Sequence, residues 1–568
     1  MEVYFTYIRS FKNFPIAKKL FIFFISLFVL PSTVFSLNAC KKNHKEGFLP
    51  DTAIYSGINF SEIKLDTSQL YSFYNKYQVE DSIREYTNQF YARRAYQLAW
   101  FNAKGITEAS HIFYNQLSSY IQTFDDQSFD IQKIDSLINL AHQDHQKINE
   151  EDSNTIELFL TTNYFRFAEK AYGGIQKDLF DLEWFIPRKK KDYLTTLDSL
   201  VSDSGNPNVK EPVNQYYKLL KEQLAFYKNL QRTVSFPLIK IDKKELILKD
   251  TSASIRQVKN FLFFYQDLKN KDTSAVFNED LKTALSNFQK RMGLVSNGKL
   301  NSQTLAQINT PIEDRIKQMM VNLERLRWLP EKIESDYLLV NIPEFKLHVF
   351  EKGQQVFDAN VVVGKTATKT SIFKGELATV VLNPYWGVPQ SIVDNEILPK
   401  LKKGTSYLTR NNMEVSRNGK LVDPNTVNWS QYSGNTPYSF RQKPGKNNSL
   451  GKIKFLFPNN YSIYLHDTPA KSLFGQNQRA FSHGCIRVQN PKSLAEYILR
   501  NDPKWKIENI DKVLETDKEQ QIKVEPKVPV FIVYLSAWVD HTGQLNFRND
   551  IYDFDKRLSE EIFETSKK

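Results

Sequence analysis

Cysteine is nearly absent from this chain: Cys40 and Cys485 are the only two in 568 residues. With Cys40 committed elsewhere no disulfide scaffold can form, and Cys485 is left as a single thiol in need of a role. Arginine-rich tracts and groove-reading motifs are missing too. The formal net charge of +12 is dispersed, which argues against nucleic acid and leaves a Lys-rich solvated surface, anionic lipid or a carboxylate-rich wall as its setting. Long apolar runs are lacking except near the N-terminus. There Lys18 and Lys19 precede Leu20–Leu30, which is short for a membrane span but suits the core of a signal peptide, so export is expected.

Leu37-Asn-Ala-Cys40 resembles the lipobox of bacterial lipoproteins, with Asn38 where a small residue is usual. The resemblance implies acylation of Cys40 and membrane attachment through the N-terminus; an uncleaved anchor and conventional cleavage are the alternatives. Residues 1–40 are therefore set apart from the fold. Residues 41–245 read as an all-α scaffold. Ser82-x-x-Glu85 has the form of a capping box, with Val79, Ile83, Tyr86 and Phe90 at helical spacing. Ile156, Leu160, Tyr164 and Phe167 repeat that spacing up to Gly173-Gly174, as do Tyr216, Leu220, Leu224 and Tyr227 before the break at Ser235-Phe-Pro237. Such stripes are core, and no catalytic residue is expected among them.

Residues 246–312 read as a compact helical module, with Leu281, Leu285, Phe288 and Met292 on one helix, a turn at Asn297-Gly298 and a further helix opening at Ser302. The run Leu281–Leu294 with Asn297-Gly298 and Thr304-Leu305 resembles the small peptidoglycan-binding domain of wall enzymes; a spacer that binds no glycan is the other reading. Residues 313–334 look like a connector helix. Then the period changes. Tyr337–Ile342, Phe345–Phe350, Val356–Val363, Ile453–Phe457 and Ser462–Leu465 read as strands, and Val528–Leu535 with Trp538 and Phe547 as added edge strands. The expected fold is thus multidomain α+β, ending in a β-rich, β-sandwich-like domain over 335–560. Within it, residues 388–452 carry a helix at Ile392–Leu401 and are otherwise broken by Gly419, Pro424, Gly434, Pro437, Pro444 and Gly445. That irregular insertion suggests a lid, with a plain surface excursion as the alternative.

The chemistry gathers around Tyr464-Leu-His-Asp-Thr468 and Phe481-Ser-His-Gly-Cys-Ile-Arg-Val488. A thiolate attacks an amide carbonyl far better than a hydroxyl does at neutral pH, so Cys485 is the candidate nucleophile. His466 and His483 compete as its proton acceptor. Ser482 suits a role fixing an imidazole tautomer, Gly484 leaves room for substrate, and the backbone N–H groups near Gly484 and Cys485 are candidates for an oxyanion hole. Arg487, two residues past Cys485 on a strand, shares its side and can meet a carboxylate, unless it is held in a structural ion pair. Zinc is a rival use of one Cys and two His, but a closed site needs a fourth ligand, and Asp467 next to His466 on a strand points the other way. No metal or cofactor is expected. His348 and His541 read as ordinary polar residues.

A histidine, residues 467–481, then Ser-His-Gly-Cys is similar to the signature of L,D-transpeptidases, cysteine enzymes that make 3→3 cross-links in peptidoglycan. Trp386-Gly-Val-Pro-Gln-Ser-Ile392, Glu396–Lys400, Arg441-Gln-x-Pro-Gly445 and Leu465-His-Asp-Thr-Pro469 resemble the large periplasmic branch, whose domain order also matches. The resemblance implies that His466 is the proton donor and acceptor, with His483 assisting, and that Arg487, Tyr464 and Trp386 bind substrate. It implies peptidoglycan stem peptides as donor and acceptor, and a periplasmic or envelope location. An L,D-carboxypeptidase or Cys-His wall hydrolase would use the same residues, and a non-enzymatic wall-binding lipoprotein would use only the helical modules.

Overall fold

The computed structural model describes residues 61, 63–102, 105–143, 149–202 and 211–563. The signal-peptide and Cys40 expectations lie outside these. Among the described residues no helix is long and apolar enough to cross a membrane.

Two compact units divide the chain. The first, ending at Thr107 and taking in residues 141–159, holds the helices Gln69–Lys76 and Asp81–Arg93. Its polar centre is Glu157, whose buried carboxylate accepts from the Tyr91 hydroxyl (2.8 Å) and the N–H groups of Ala99 (2.5 Å) and Trp100 (2.9 Å). Burial pushes that carboxyl up to about 7. The expected capping box is not formed: Glu80, extended at ψ 148°, caps the helix, and Ser82 lies inside the first turn. The buried Val79 just ahead of it sets the chain entry upstream of the Ser-x-x-Glu pattern.

The second unit comprises residues 108–140 and everything from Leu160. In its helix Gln215–Thr233 the Asn214 side chain accepts from Tyr217 N–H (3.0 Å), a standard N-cap. The buried stripe starts at Tyr217, not Tyr216, and runs through Leu220, Leu224, Tyr227 and Leu230; Tyr216 instead meets the Tyr337 hydroxyl at 2.6 Å. The helices Ala253–Phe264, Glu279–Arg291 and Ser302–Ile308 follow, each capped by the residue before it: Ser252, Asn278 and Asn301.

The helix Ile312–Trp328 is no mere connector, because every residue from Val321 to Trp328 is buried. Its polar side chains reach in several directions. Asn322 exchanges hydrogen bonds with Ser536 (2.8 and 2.9 Å), Arg325 pairs with Asp555, and Arg327 donates to Ala171 O and the Tyr217 hydroxyl. Glu324 accepts from Ile175 N–H (2.8 Å), Trp328 Nε1 (3.0 Å) and Arg327. Gly174, at φ +78°, makes room for that carboxylate: a Cβ there would lie 2.0 Å from Glu324 Oε1.

Eight strands of a ten-stranded sheet make its central ring: β1 (Tyr337–Asn341), β2 (Lys346–Glu351), β3 (Gln354–Gly364), β4 (Ile372–Leu382), β5 (Ile453–Leu456), β6 (Leu465–His466), β7 (Ile486–Val488) and β8 (Gln520–Val533). Their hydrogen-bonded order is β5-β6-β7-β3-β2-β1-β8-β4, and β4 pairs back onto β5. The sheet therefore closes on itself, so none of these strands is left as a free edge. β8 is likewise not an edge. Val530–Val533 are all buried, and the strand runs parallel to β1 on one side and antiparallel to β4 on the other. A continuous apolar run of this kind belongs to a strand covered on both faces.

Residues 386–442 hold a four-stranded antiparallel sheet of their own, in the order Trp386–Gly387, Ser439–Gln442, Met413–Arg417, Lys420–Val422. Val393, Ile397, Leu398, Leu401, Leu408, Val415, Trp429, Tyr438 and Phe440 form its core. The insertion is thus a folded subdomain rather than irregular chain. Its strands are two to five residues long, so glycine and proline turns dominate the pattern that the sequence presents.

Candidate active site

β6 and β7 run parallel as neighbours, with Leu465 opposite Ile486 and His466 opposite Arg487. β5 lies antiparallel on the other side of β6 and sets Lys454 opposite His466. Side chains alternate across a strand. Ile453, Phe455, Leu465, Ile486 and Val488 turn inward and are buried. The other face therefore carries Lys454, Tyr464, His466, Cys485 and Arg487 together. The alternation that packs the ring is the same one that gathers the polar groups outside it.

The Cys485 thiol is partly buried and points at the Ser462 carbonyl, 3.5 Å away. The backbone and hydroxyl of Tyr464 lie near the sulfur and favour its anion. Burial pushes the thiol up, opposed by these groups and by the charges of Lys454 and Arg487. His466 is buried, with Nδ1 2.5 Å from the Asp467 carbonyl oxygen. A carbonyl only accepts, so Nδ1 carries the hydrogen and Nε2 keeps its lone pair. Burial, then the positive charges of Arg487 and Lys454, push this imidazole down to about 3. At neutral pH it is an uncharged base.

The turn that presents Cys485 is held from beneath. Ser482 Oγ donates to Cys485 O (2.6 Å) and accepts from Gly484 N–H (3.1 Å). The Ser482 carbonyl accepts from Lys365 N–H and Thr368 Oγ1, both at 3.0 Å, and Thr370 Oγ1 donates to Gly484 O (2.8 Å). Gly484 sits at φ +117°, where a side chain is strained. Two expectations change here. Ser482 braces the backbone rather than an imidazole, and the Gly484 N–H is already engaged, which leaves the Cys485 N–H as the oxyanion candidate.

His483 meets a carboxylate of the insertion. Its side chain is half exposed and lies 3.3 Å from Glu396 in the inserted subdomain. Arg487 has no carboxylate partner among the described residues, and its buried Nε has no hydrogen-bond partner, so the structural ion pair is not formed. Trp386 joins the site only indirectly, from near the Tyr464 hydroxyl. The Asp467 carboxylate is buried and accepts from Thr468 N–H, Lys452 N–H and Lys471. Its carbonyl is what orients His466. His348 Nε2 meets Glu344 at 2.9 Å, while its buried Nδ1 has no hydrogen-bond partner. Lys454 escaped the sequence reading. Its signal is the alternation of Ile453-Lys-Phe-Leu456, which acquires meaning only once β5 is known to pair with β6.

Fold and site together define a multidomain protein that presents a thiol and a neutral imidazole on the outside of a closed sheet. Residues 335–514 match the family model of the L,D-transpeptidase catalytic domain, residues 85–224 that of a scaffold domain, and residues 251–308 that described as "Putative peptidoglycan binding domain". About a third of the chain thus resembles an L,D-transpeptidase catalytic domain. It is 34% identical over 254 residues to a Haemophilus influenzae protein named "Putative L,D-transpeptidase", a match covering 44% of this chain and 51% of that one. The chain thus spans about half the length of this curated relative. Among solved structures it is similar to an L,D-transpeptidase from Stackebrandtia nassauensis (13% identity, 52% of this chain and 97% of that one, TM-score 0.21). Another, from Xylanimonas cellulosilytica, is 14% identical over 52% of this chain and 100% of that one, with a TM-score of 0.17.

Proposed function

We propose that this protein is an exported L,D-transpeptidase that forms 3→3 cross-links in peptidoglycan. The observation that carries this is the shared face of β6 and β7. Cys485 and a neutral His466 stand there beside an unpaired Arg487, inside a segment matching the catalytic domain. His466 Nε2 takes the thiol proton as Cys485 Sγ attacks the carbonyl of the third stem residue. The Cys485 N–H faces the oxyanion, and His466 returns the proton to the departing D-alanine amine. The thioester is then resolved by the side-chain amine of a second stem, so amide-bond energy is conserved and no cofactor is required.

Arg487, Tyr464 and Trp386 receive the stem peptide, the guanidinium meeting a carboxylate. The subdomain over 388–452 serves as a lid, excluding water so that an amine rather than hydroxide resolves the acyl-enzyme. The module within 246–312 holds the enzyme to the wall, and acylation of Cys40 tethers it in the envelope. Incubation with disaccharide-tetrapeptide and intact-mass measurement with a carbapenem test the reading together. Wild-type protein yields cross-linked dimers and a single adduct on Cys485, and Cys485→Ala abolishes both. Release of tripeptide without dimers makes the protein a hydrolase, and undiminished adduct formation by His466→Ala removes His466 as the base.

A further inference from the structure

Cysteine nucleophiles are commonly charged by an adjacent imidazolium, but the surroundings of His466 work against one. Lys454 stands directly opposite it on β5 and Arg487 directly opposite it on β7. A protonated His466 would be the middle of three cations in a row across neighbouring strands. The thiolate therefore needs another counter-charge. Lys454 makes no ion pair among the described residues, whereas the nearby Lys452 reaches Asp517 at 3.6 Å. Instead, Lys454 Nζ lies over the Tyr464 ring, 4.0 Å from its centroid. Tyr464 shares the outer face with Cys485, and its backbone and hydroxyl favour the sulfur anion.

We propose that Lys454 is the positioning residue for the Cys485 thiolate: its ammonium, laid on the Tyr464 ring, supplies the counter-charge that an imidazolium supplies elsewhere. Together with Arg487 it also keeps His466 uncharged and able to accept a proton. The inference rests on Cys485 being the nucleophile. The groups facing the ammonium are Tyr464 and His466 from β6, Cys485 and Arg487 from the β7 segment, and Glu519 ahead of β8. Burial lowers the Lys454 ammonium, while the Cys485 and Glu519 charges raise it. A partly desolvated ammonium without a standing carboxylate gains most when a negative charge forms at the sulfur.

Alkylation of Cys485 by iodoacetamide, followed peptide by peptide by mass spectrometry on the full chain from pH 5 to 10, reads the thiolate directly. It needs no stem peptide, so its outcome is independent of whether the protein cross-links. Lys454→Met is expected to move the alkylation midpoint up by about one pH unit, roughly a tenfold slower reaction at pH 7. Lys454→Arg should restore it to within about threefold, and His466→Asn should move it less than Lys454→Met does. Superimposable wild-type and Lys454→Met profiles overturn the proposal. So does a Lys454→Arg profile that follows Lys454→Met, which would reduce Lys454 to a packing role. Loss of cross-linking with the Lys454-dependent shift intact would instead overturn the transpeptidase reading alone.

Discussion

The charge state of His466 offers the most demanding test of the site. Burial and two flanking cations place its pKa at about 3 against an ordinary 6.5. Because the folded-state value is the lower one, the unfolded chain binds more protons throughout that window. Folding is then fully supported above pH 6.5 and loses stability as acid is added towards pH 3, by about 2 kcal/mol at pH 5. In uniformly deuterated protein carrying 15N-histidine, the His466 resonances should keep the pattern of a neutral ring protonated on Nδ1 from pH 7 to pH 4. His466→Asn identifies the resonance and keeps a donor near the Nδ1 position. Hydrogen exchange in peptides spanning β6 and β7, corrected for intrinsic rates, should show protection falling by roughly an order of magnitude or more between pH 7 and 5 in wild type and much less in His466→Asn. A His466 midpoint near 6.5, or parallel losses in both proteins, would refute the reasoning.

Two further outcomes follow from the surrounding scaffold. Gly484→Ala meets only ordinary contacts, with Lys369 O 3.6 Å from the new Cβ, so its cost is the positive φ of +117° alone. A backbone strain of about 1–3 kcal/mol should relax the turn, cutting the rate of Cys485 acylation at least tenfold by stopped-flow while the melting temperature changes little. Glu324→Ala leaves the Arg327 guanidinium buried without its carboxylate and strips Ile175 N–H and Trp328 Nε1 of their acceptor. A loss of about 3–5 kcal/mol is expected, visible in thermal denaturation, with acylation at low temperature unchanged. A melting temperature within a degree of wild type would show that the network contributes little.

Local pattern carried the reading where elements are long and amphipathic. The helices over 215–233 and 279–291 and the strands over 337–364 announce themselves by period, and the Tyr464 and Phe481 stretches by their chemistry. It faltered where tertiary pairing decides. The Ser82-x-x-Glu85 pattern is a property of four residues, whereas the helix start depends on where the buried Val79 enters the core. The 313–334 segment reads as a connector, yet it carries Asn322, Glu324, Arg325 and Arg327. All four are buried, and polar side chains enter a core only when partners wait there, here Ser536, Ile175, Asp555 and Tyr217. Those partners lie more than a hundred residues away in sequence.

The same logic separates what was seen at the site from what was not. Cys485 and His466 were visible because thiol and imidazole are rare in this chain and their spacing is distinctive. Ser482 was seen, but its role was misjudged: its partners are the backbone groups of Cys485 and Gly484, and backbone atoms leave no trace in residue identity. Asp467 was weighed for its carboxylate, whereas its carbonyl is what faces Nδ1 of His466. Lys454 was missed because one lysine among 76 basic residues carries no signal by itself. It gains significance only through strand register: antiparallel neighbours directly opposite have Cβ atoms about 5 Å apart, close enough for an ammonium to dictate the charge of an imidazole. Electrostatic roles of this kind are set by which strands pair and in what register. A sequence motif can therefore name a nucleophile and its base before it can say which charge steadies either of them.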